Sequence, residues 1–345
     1  MSSKQHKKAL VFFSAGVGDA ILLVPLVNEL KKQGYTVTGL FTSVFGCESI
    51  FKNTALFDSI VVKKRKPALF SYAILNSKKY DLVFLNHFSY SQSNIYCANL
   101  LGKSVYTNYN HAFSLRSLQS VHVTEPIANT HDALQNVFLF NLKATLIDLN
   151  FDLHYKPQNK NTFQLPKKYI TIQVSSANNN APYKNWEFEK WLELFKHLKN
   201  TMPDTSLVLL GDHTELYLNE KIDQNEYPNI ISLIGKTTLN EAMEIIYHSQ
   251  FYIGLDSGLM HMAVALGKPT FTIWGASNSI LYGYEWLGQK HKIVSMKLAC
   301  APCSAWMNPN ISRVKDPLKC PDFKCIREIT VSKVIDELDA FIKTI

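Results

Sequence analysis

Residues 251–278, FYIGLDSGLMHMAVALGKPTFTIWGASN, hold the densest set of groups suited to chemistry. A strand ends near Leu255, and Asp256-Ser257-Gly258 opens a helix. Ser257 suits an N-cap, and Gly258 lets a ligand approach the backbone closely. Free N–H groups at such a start, with the positive end of the helix dipole, make an anion site. His261 shares the face of the first turn and can donate a hydrogen bond to a phosphate. Near the N-terminus, Gly16-Val17-Gly18-Asp19 follows an apolar strand at 9–13. It lacks the third glycine of the dinucleotide fingerprint G-x-G-x-x-G, which argues against a dehydrogenase. Toward the C-terminus stand Cys300, Cys303, Cys320 and Cys325. A C-x2-C pair puts two thiolates on one tight turn, half of a four-cysteine site. Three readings of this cluster compete: a structural Zn²⁺ or iron site, four reduced thiols, or disulfides.

These residues need elements to position them. At about 150 residues per domain, 345 residues make two domains. Short apolar runs at 9–13, 35–41, 59–62, 82–85 and 104–106 read as buried parallel strands. Helical periodicity at 20–33 and 131–142 alternates with them. A polar, proline-bearing stretch at 155–166 marks the linker. The alternation restarts with strands at 169–174, 207–210, 251–255 and 270–274. Helices are expected at 186–199, 239–249, 259–266 and 331–342. The fold class is therefore α/β, with two Rossmann-like domains, 1–158 and 165–345, facing a central cleft. Ligands in such sheets bind beyond the carboxyl ends of the strands.

Composition narrows the function further. The apolar fraction of 46% and charged fraction of 19% exclude a disordered chain. The longest apolar run, residues 20–27, is far short of the roughly 20 residues that span a bilayer. The N-terminal apolar run breaks into a Gly-rich loop without a cleavage site, so a cytoplasmic protein is expected. Six cysteines are too few for a disulfide scaffold. The net charge of +8 suits anionic partners. The one basic run, KKRK at 63–66, reads as a solvated loop, and no nucleic-acid signature accompanies it.

The run D-S-G-x-x-H-x-A-x-A-x-G-x-P-x-x-x-x-x-G, from Asp256 to Gly275, resembles the signature of the heptosyltransferase-like glycosyltransferases, family 9, of the GT-B fold. Gly18-Asp19-x5-Pro25, Lys184-x-Trp186 and Gly211-x3-Glu215 resemble further motifs of that family, in the family's order and across nearly the whole chain. The resemblance implies an inverting, metal-independent transfer of a sugar, heptose from ADP-heptose, to a lipopolysaccharide inner-core or related glycan acceptor. It implies Asp19 as the base that takes the acceptor hydroxyl proton. Lys184, His261 and the helix start at Asp256, Ser257 and Gly258 would meet the leaving diphosphate as fixed positive groups. Ser175 and Ser176 would add hydroxyl donors, and Glu215 would accept from the ribose. The N-terminal domain would hold the acceptor and the C-terminal domain the donor, with the final helix packing back toward the N-terminal domain. No cofactor is expected for catalysis. The implied partners are a nucleotide-diphosphate sugar, a glycolipid or glycan, and, peripherally, the anionic face of the inner membrane. The rival reading is a nucleotide-sugar-binding protein or epimerase without transfer activity.

Overall fold

The computed structural model describes residues 7–86, 89, 91–108, 120–158, 162–176, 181–303 and 319–345. Linker residues 159–161, the middle of the loop after the seventh strand at 177–180, and the segment 304–318 between the cysteine pairs lie outside them. The chain divides into two units, Met1–Lys156 and Pro157–Ile345.

The first unit has strands β1 (Lys8–Phe13), β2 (Thr36–Phe41), β3 (Ser59–Val62), β4 (Tyr80–Leu85), β5 (Gly102–Thr107) and β6 (Val121–Val123). They form one parallel sheet in the order β3-β2-β1-β4-β5-β6. Its helices are α1 (Val17–Leu22), α2 (Val24–Lys32), α3 (Lys66–Leu75), α4 (Gln92–Leu101) and α5 (Asp132–Phe138). In β1 every residue after Lys8 is buried, as a central strand covered on both faces requires.

The continuous helix expected at 20–33 is two helices, because Pro25 interrupts it. Proline has no N–H to donate, and its ring crowds the carbonyl four residues back. At the junction of the two helices the Leu22 carbonyl accepts from Asn136 Nδ2 on α5 at 3.1 Å. Helix α5 buries Asp132 and Gln135 as well as Asn136, and it ends at Phe138, short of the expected 142. The run at 63–66 is also more than a loop: α3 begins at Lys66, with Pro67 in its first turn, a position that does not need an N–H.

The second unit has strands β7 (Tyr169–Ile172), β8 (Ser206–Leu209), β9 (Ile230–Ser232), β10 (Tyr252–Leu255), β11 (Thr270–Trp274) and β12 (His291–Ser295), all parallel, in the order β12-β11-β10-β7-β8-β9. Its helices are α6 (Phe188–Thr201), α7 (Leu239–His248), α8 (Gly258–Ala265), α9 (Ser279–Tyr282), α10 (Lys324–Arg327) and α11 (Val331–Ile342). Helix α6 buries Phe188, Trp191, Leu194, Phe195 and Leu198, spaced three and four apart. Each such side chain contributes about 1.5–3 kcal/mol when fully buried. The apolar face of α11, Val334, Leu338 and Phe341, lies in the core of its own unit, with Phe341 against Phe251 and Phe271.

Both sheets follow the same plan. The chain lays strands outward from the first strand, then returns and lays the rest on the other side. The order therefore reverses between β1 and β4, and again between β7 and β10. The carboxyl ends of those strand pairs are where ligands bind in doubly wound sheets.

Candidate active site

In the first unit, Asp19 stands in the first turn of α1, directly after β1. Its Oδ2 accepts from the Gly16 N–H at 3.0 Å, which fixes the carboxylate at the reversal point. It lines a crevice with Phe13, Ser14, Ala20, Leu23 and Asn86. The Cys47 thiol donates to the Ala15 carbonyl at 3.3 Å. Burial, then the negative charges of Asp19 and Glu48, push that thiol up to about 12, so it stays protonated.

Asn86 follows β4 on the other side of the reversal point and is 1% exposed. Its Oδ1 accepts from the Ser89 N–H at 3.0 Å. Its Nδ2 has no hydrogen-bond partner among the described residues. The loop carrying it is tied to β1, since Ser89 Oγ donates to the Phe12 carbonyl at 3.0 Å. Asn94 Nδ2 reaches both Ser89 O, at 2.7 Å, and Ser14 Oγ, at 3.1 Å. A buried amide donor facing a crevice beside a carboxylate is a group that sequence reasoning missed.

In the second unit the same construction recurs around an ion pair. Lys184 Nζ lies 2.7 Å from Asp256 Oδ2 and also donates to the Asp256 carbonyl at 3.3 Å. Lys184 sits on the 3₁₀ turn Pro182–Lys184, Asp256 just after β10. Burial acts to raise the Asp256 carboxyl, but Lys184 and His261 outweigh it and hold the group below its ordinary value. His261 Nε2 is 4.0 Å from Asp256 Oδ1, and its Nδ1 lies 2.6 Å from Tyr284 Oη. Burial, reinforced by Lys184 and opposed by Asp256, lowers the imidazole to about 4. His261 is therefore neutral at pH 7. It is not the fixed positive group expected from sequence, because full burial overrides its nearest anion.

Ser257 occupies the N-cap position of α8 but does not cap it. Its hydroxyl turns to Gln173 Oε1, which also accepts from Tyr252 Oη at 2.8 Å. The N–H groups of the α8 first turn are thus left uncapped by that side chain, as an anion site requires. Ser175 and Ser176 follow β7 and are buried. The Ser176 N–H donates to Asn185 Oδ1 at 2.9 Å, and its hydroxyl lies 3.4 Å from the same oxygen, so it is not simply an outward donor. Glu215 is 3% exposed, with Oε2 accepting from the Asp212 N–H at 3.0 Å. Burial lifts its carboxyl above the ordinary value, against the opposing pull of Ser175 and the Asp212 N–H. Gly211 makes room for it, since a Cβ there would collide with the Glu215 carboxylate.

None of the four cysteines is in a disulfide. Cys325 is buried in a cluster with Ala181, Tyr183 and Ala276, against which Ala301 and Cys303 pack. Burial, then the neighbouring Cys303, Cys320 and Cys300, push its thiol up to about 12. Among the described residues no group of three or more His, Cys, Asp or Glu is arranged to hold a metal. Of the three readings of the cluster, the Zn²⁺ or iron site therefore gains no support from the described residues. What the cluster does is brace the turn that carries Lys184. Gly275 lets β11 approach it, because a Cβ there would strike the Tyr183 carbonyl.

Comparison with known proteins agrees with this construction. Residues 75–310 match the model of glycosyltransferase family 9 (heptosyltransferase). The chain is similar to lipooligosaccharide heptosyltransferase 2 of Campylobacter jejuni, 20% identical over 97% of this chain and 98% of that protein. Its fold is similar to that of the Escherichia coli ADP-heptose lipopolysaccharide heptosyltransferase II, with a TM-score of 0.72 at 19% identity, covering 98% of this chain and 99% of that one. A family 9 glycosyltransferase from Veillonella parvula gives a TM-score of 0.78 at 18% identity, covering 98% of both chains. The chain therefore belongs to glycosyltransferase family 9, the heptosyltransferases.

Proposed function

We propose that this glycosyltransferase moves heptose from ADP-heptose to a lipopolysaccharide inner-core or related glycan acceptor, with inversion and without a catalytic metal. The observation that carries the reading is the placing of Asp19 at the strand-order reversal of one unit and the Lys184–Asp256 pair at that of the other. In this reading the first unit holds the acceptor and the second the donor.

Asp19 takes the acceptor hydroxyl proton as that oxygen bonds to the anomeric carbon from the face opposite the diphosphate. The bond from carbon to diphosphate breaks, and its electron pair stays on the leaving oxygen. Asn86 Nδ2 donates to the acceptor oxygen and holds its proton toward Asp19. On the donor side, the N–H groups at Ser257 and Gly258 and the Lys184 ammonium face the diphosphate as its charge grows. A charge-assisted hydrogen bond of this kind contributes roughly 1.5–3 kcal/mol. Asp256 and the neutral His261 fix the position of Lys184, and Ser175 and Ser176 complete the wall. Glu215 Oε1, which has no partner among the described residues, accepts from a ribose hydroxyl.

The glycolipid acceptor places the reaction at the cytoplasmic face of an anionic membrane. No described helix is long and apolar enough to cross one. The test is consumption of ADP-heptose with and without a heptose-deficient lipooligosaccharide acceptor. Consumption only with acceptor is expected. Consumption without it would indicate an epimerase or hydrolase, and donor binding with no consumption a non-catalytic binder. EDTA should leave the rate unchanged, and an inhibition reversed by Mg²⁺ would overturn metal independence.

A further inference from the structure

The positive charge of the chain has a particular address in the first unit. Between Ser59 and Tyr80 stand Lys63, Lys64, Arg65, Lys66, Lys78 and Lys79, with no Asp or Glu among them. Helix α3 lies inside this stretch and turns Leu69 and Ala73 into the core. Its outer face carries Phe70, Ile74 and Leu75, which are 37%, 65% and 83% exposed. Phe70 and Ile74 are four apart and adjoin on the helix surface, with Leu75 beside them. A helix on a protein surface normally turns charge outward. Here residues 67–76 contain no charged side chain, and the cations sit in front of and behind the apolar face.

Position adds to composition. Helix α3 packs Leu69 and Ala73 over the sheet face beside α4, among Leu10, Leu40, Tyr80 and Ile95. The basic run leaves β3 at its carboxyl end, the same end of the sheet at which Asp19 follows β1 and Asn86 follows β4. Lys64 is paired with Glu48 at 2.8 Å and Lys63 lies over the Tyr72 ring, while Arg65 and Lys66 are exposed.

We propose that α3 and its flanking cations form a docking surface for an anionic lipid bilayer. Phe70, Ile74 and Leu75 enter the boundary of the acyl chains, and Arg65 and Lys66 beside them meet lipid phosphates, while Lys78 and Lys79 are held by the protein's own oxygens. Buried apolar area and attraction of cations to anionic headgroups are the two contributions that hold a protein at a membrane interface, and this surface offers both. Charge complementarity selects the occupant. A two-fold contact between copies of this chain would set the same cations against themselves, whereas an anionic bilayer neutralises them. The surface deepens the proposed function, since it would hold the carboxyl edge of the acceptor unit near a lipid-linked acceptor. Vesicle binding itself does not require that reaction.

The test is co-sedimentation of the full chain with vesicles of phosphatidylcholine and phosphatidylglycerol in equal parts, and of phosphatidylcholine alone, at low and high salt. Wild-type protein should pellet with the anionic vesicles and much less with the neutral ones. The variant Phe70→Ser/Ile74→Ser/Leu75→Ser should lose about tenfold in partitioning at either salt. The variant Arg65→Gln/Lys66→Gln should lose several-fold at low salt only, because screening already weakens its contribution at high salt. Both variants should keep wild-type thermal stability and wild-type binding of ADP, which shows that they fold. Equal pelleting of the triple variant and wild type would overturn the proposal. So would failure of the wild type to pellet, or a wild-type dimer that the triple substitution converts to monomer in sedimentation velocity. Pelleting without heptose transfer would sink the proposed reaction and leave the surface standing. Transfer without pelleting would do the reverse.

Discussion

Lys184 Nζ lies 2.7 Å from Asp256 Oδ2, and the two side chains are 16% and 8% exposed. The lysine that faces the proposed diphosphate is therefore already held by a buried carboxylate. Its charge is positioned in advance, which favours transition-state stabilisation, and its ammonium is partly neutralised, which limits how tightly product can be held.

Removing one member of this pair should cost more than removing both. Lys184→Ala leaves a buried carboxylate without its cation, and broken buried pairs cost about 3–5 kcal/mol. Lys184→Ala/Asp256→Asn should recover most of that stability. Donor binding should remain weak in both variants, because the ammonium is missing from each. Urea unfolding and calorimetric titration with ADP measure the two quantities. A double variant no more stable than the single one would show that the pair is not the cause.

Asp19→Asn should abolish transfer while leaving ADP affinity near wild type. The substitution keeps the size of the side chain and its acceptor for the Gly16 N–H, and deletes only basicity. Loss of a general base lowers a rate on the order of 100- to 10,000-fold. Turnover above about a third of wild type would remove Asp19 from the role.

The donor-side loop was legible in the sequence because its signals are local: an apolar strand, then Asp256-Ser257-Gly258, then a helical run. The doubly wound class was legible for the same reason. What escaped depends on strand order and burial, which no short window carries. Asn86 looks like an ordinary loop residue until β4 is placed next to β1. The pairing of Lys184 with Asp256 spans two loops brought together across the β7–β10 pairing. The charge state of His261 is set chiefly by its burial, which depends on packing from elements far apart in the chain. Gln173 was the exception, since a glutamine inside the apolar run at 169–174 was a visible signal that went unread. Helix α3 went unread because a basic run at its start outweighed ten residues of helical length.

Asn86→Asp should reduce transfer at least tenfold at pH 7 with little loss of stability. The variant keeps the shape of the side chain and its acceptor for the Ser89 N–H, so the loop stays tied. It replaces a buried amide donor that has no partner among the described residues with an oxygen that Asp19 repels. A second carboxylate nearby raises the pH at which the first ionises. The acidic limb of the rate profile should accordingly move to higher pH. A lower rate with an unshifted profile and a lower unfolding midpoint would assign Asn86 a structural role only.

Asp132→Asn should stabilise the protein at neutral pH and do nothing for it near pH 4. Asp132 begins α5 fully buried, and burial pushes its carboxyl up to about 7, against a weak opposing bond from Asn136. The folded state therefore keeps a proton that the unfolded chain releases near 4. Stability from this group is intact below about pH 4 and is lost as pH rises toward 7, by up to about 4 kcal/mol. An asparagine can keep the Asn136 contact and carries no charge to bury, so the loss disappears. His261 and His291 work with the opposite sign. Burial lowers both imidazoles to about 4, so they cost stability as pH falls from about 6.5. The raw wild-type profile mixes the two slopes, and the difference between variant and wild type isolates Asp132. Thermal unfolding midpoints from pH 4 to pH 8 give that difference. A gain that does not grow with pH, or no gain at pH 7.5, would show that the Asp132 carboxylate is ionised in the folded protein at no cost.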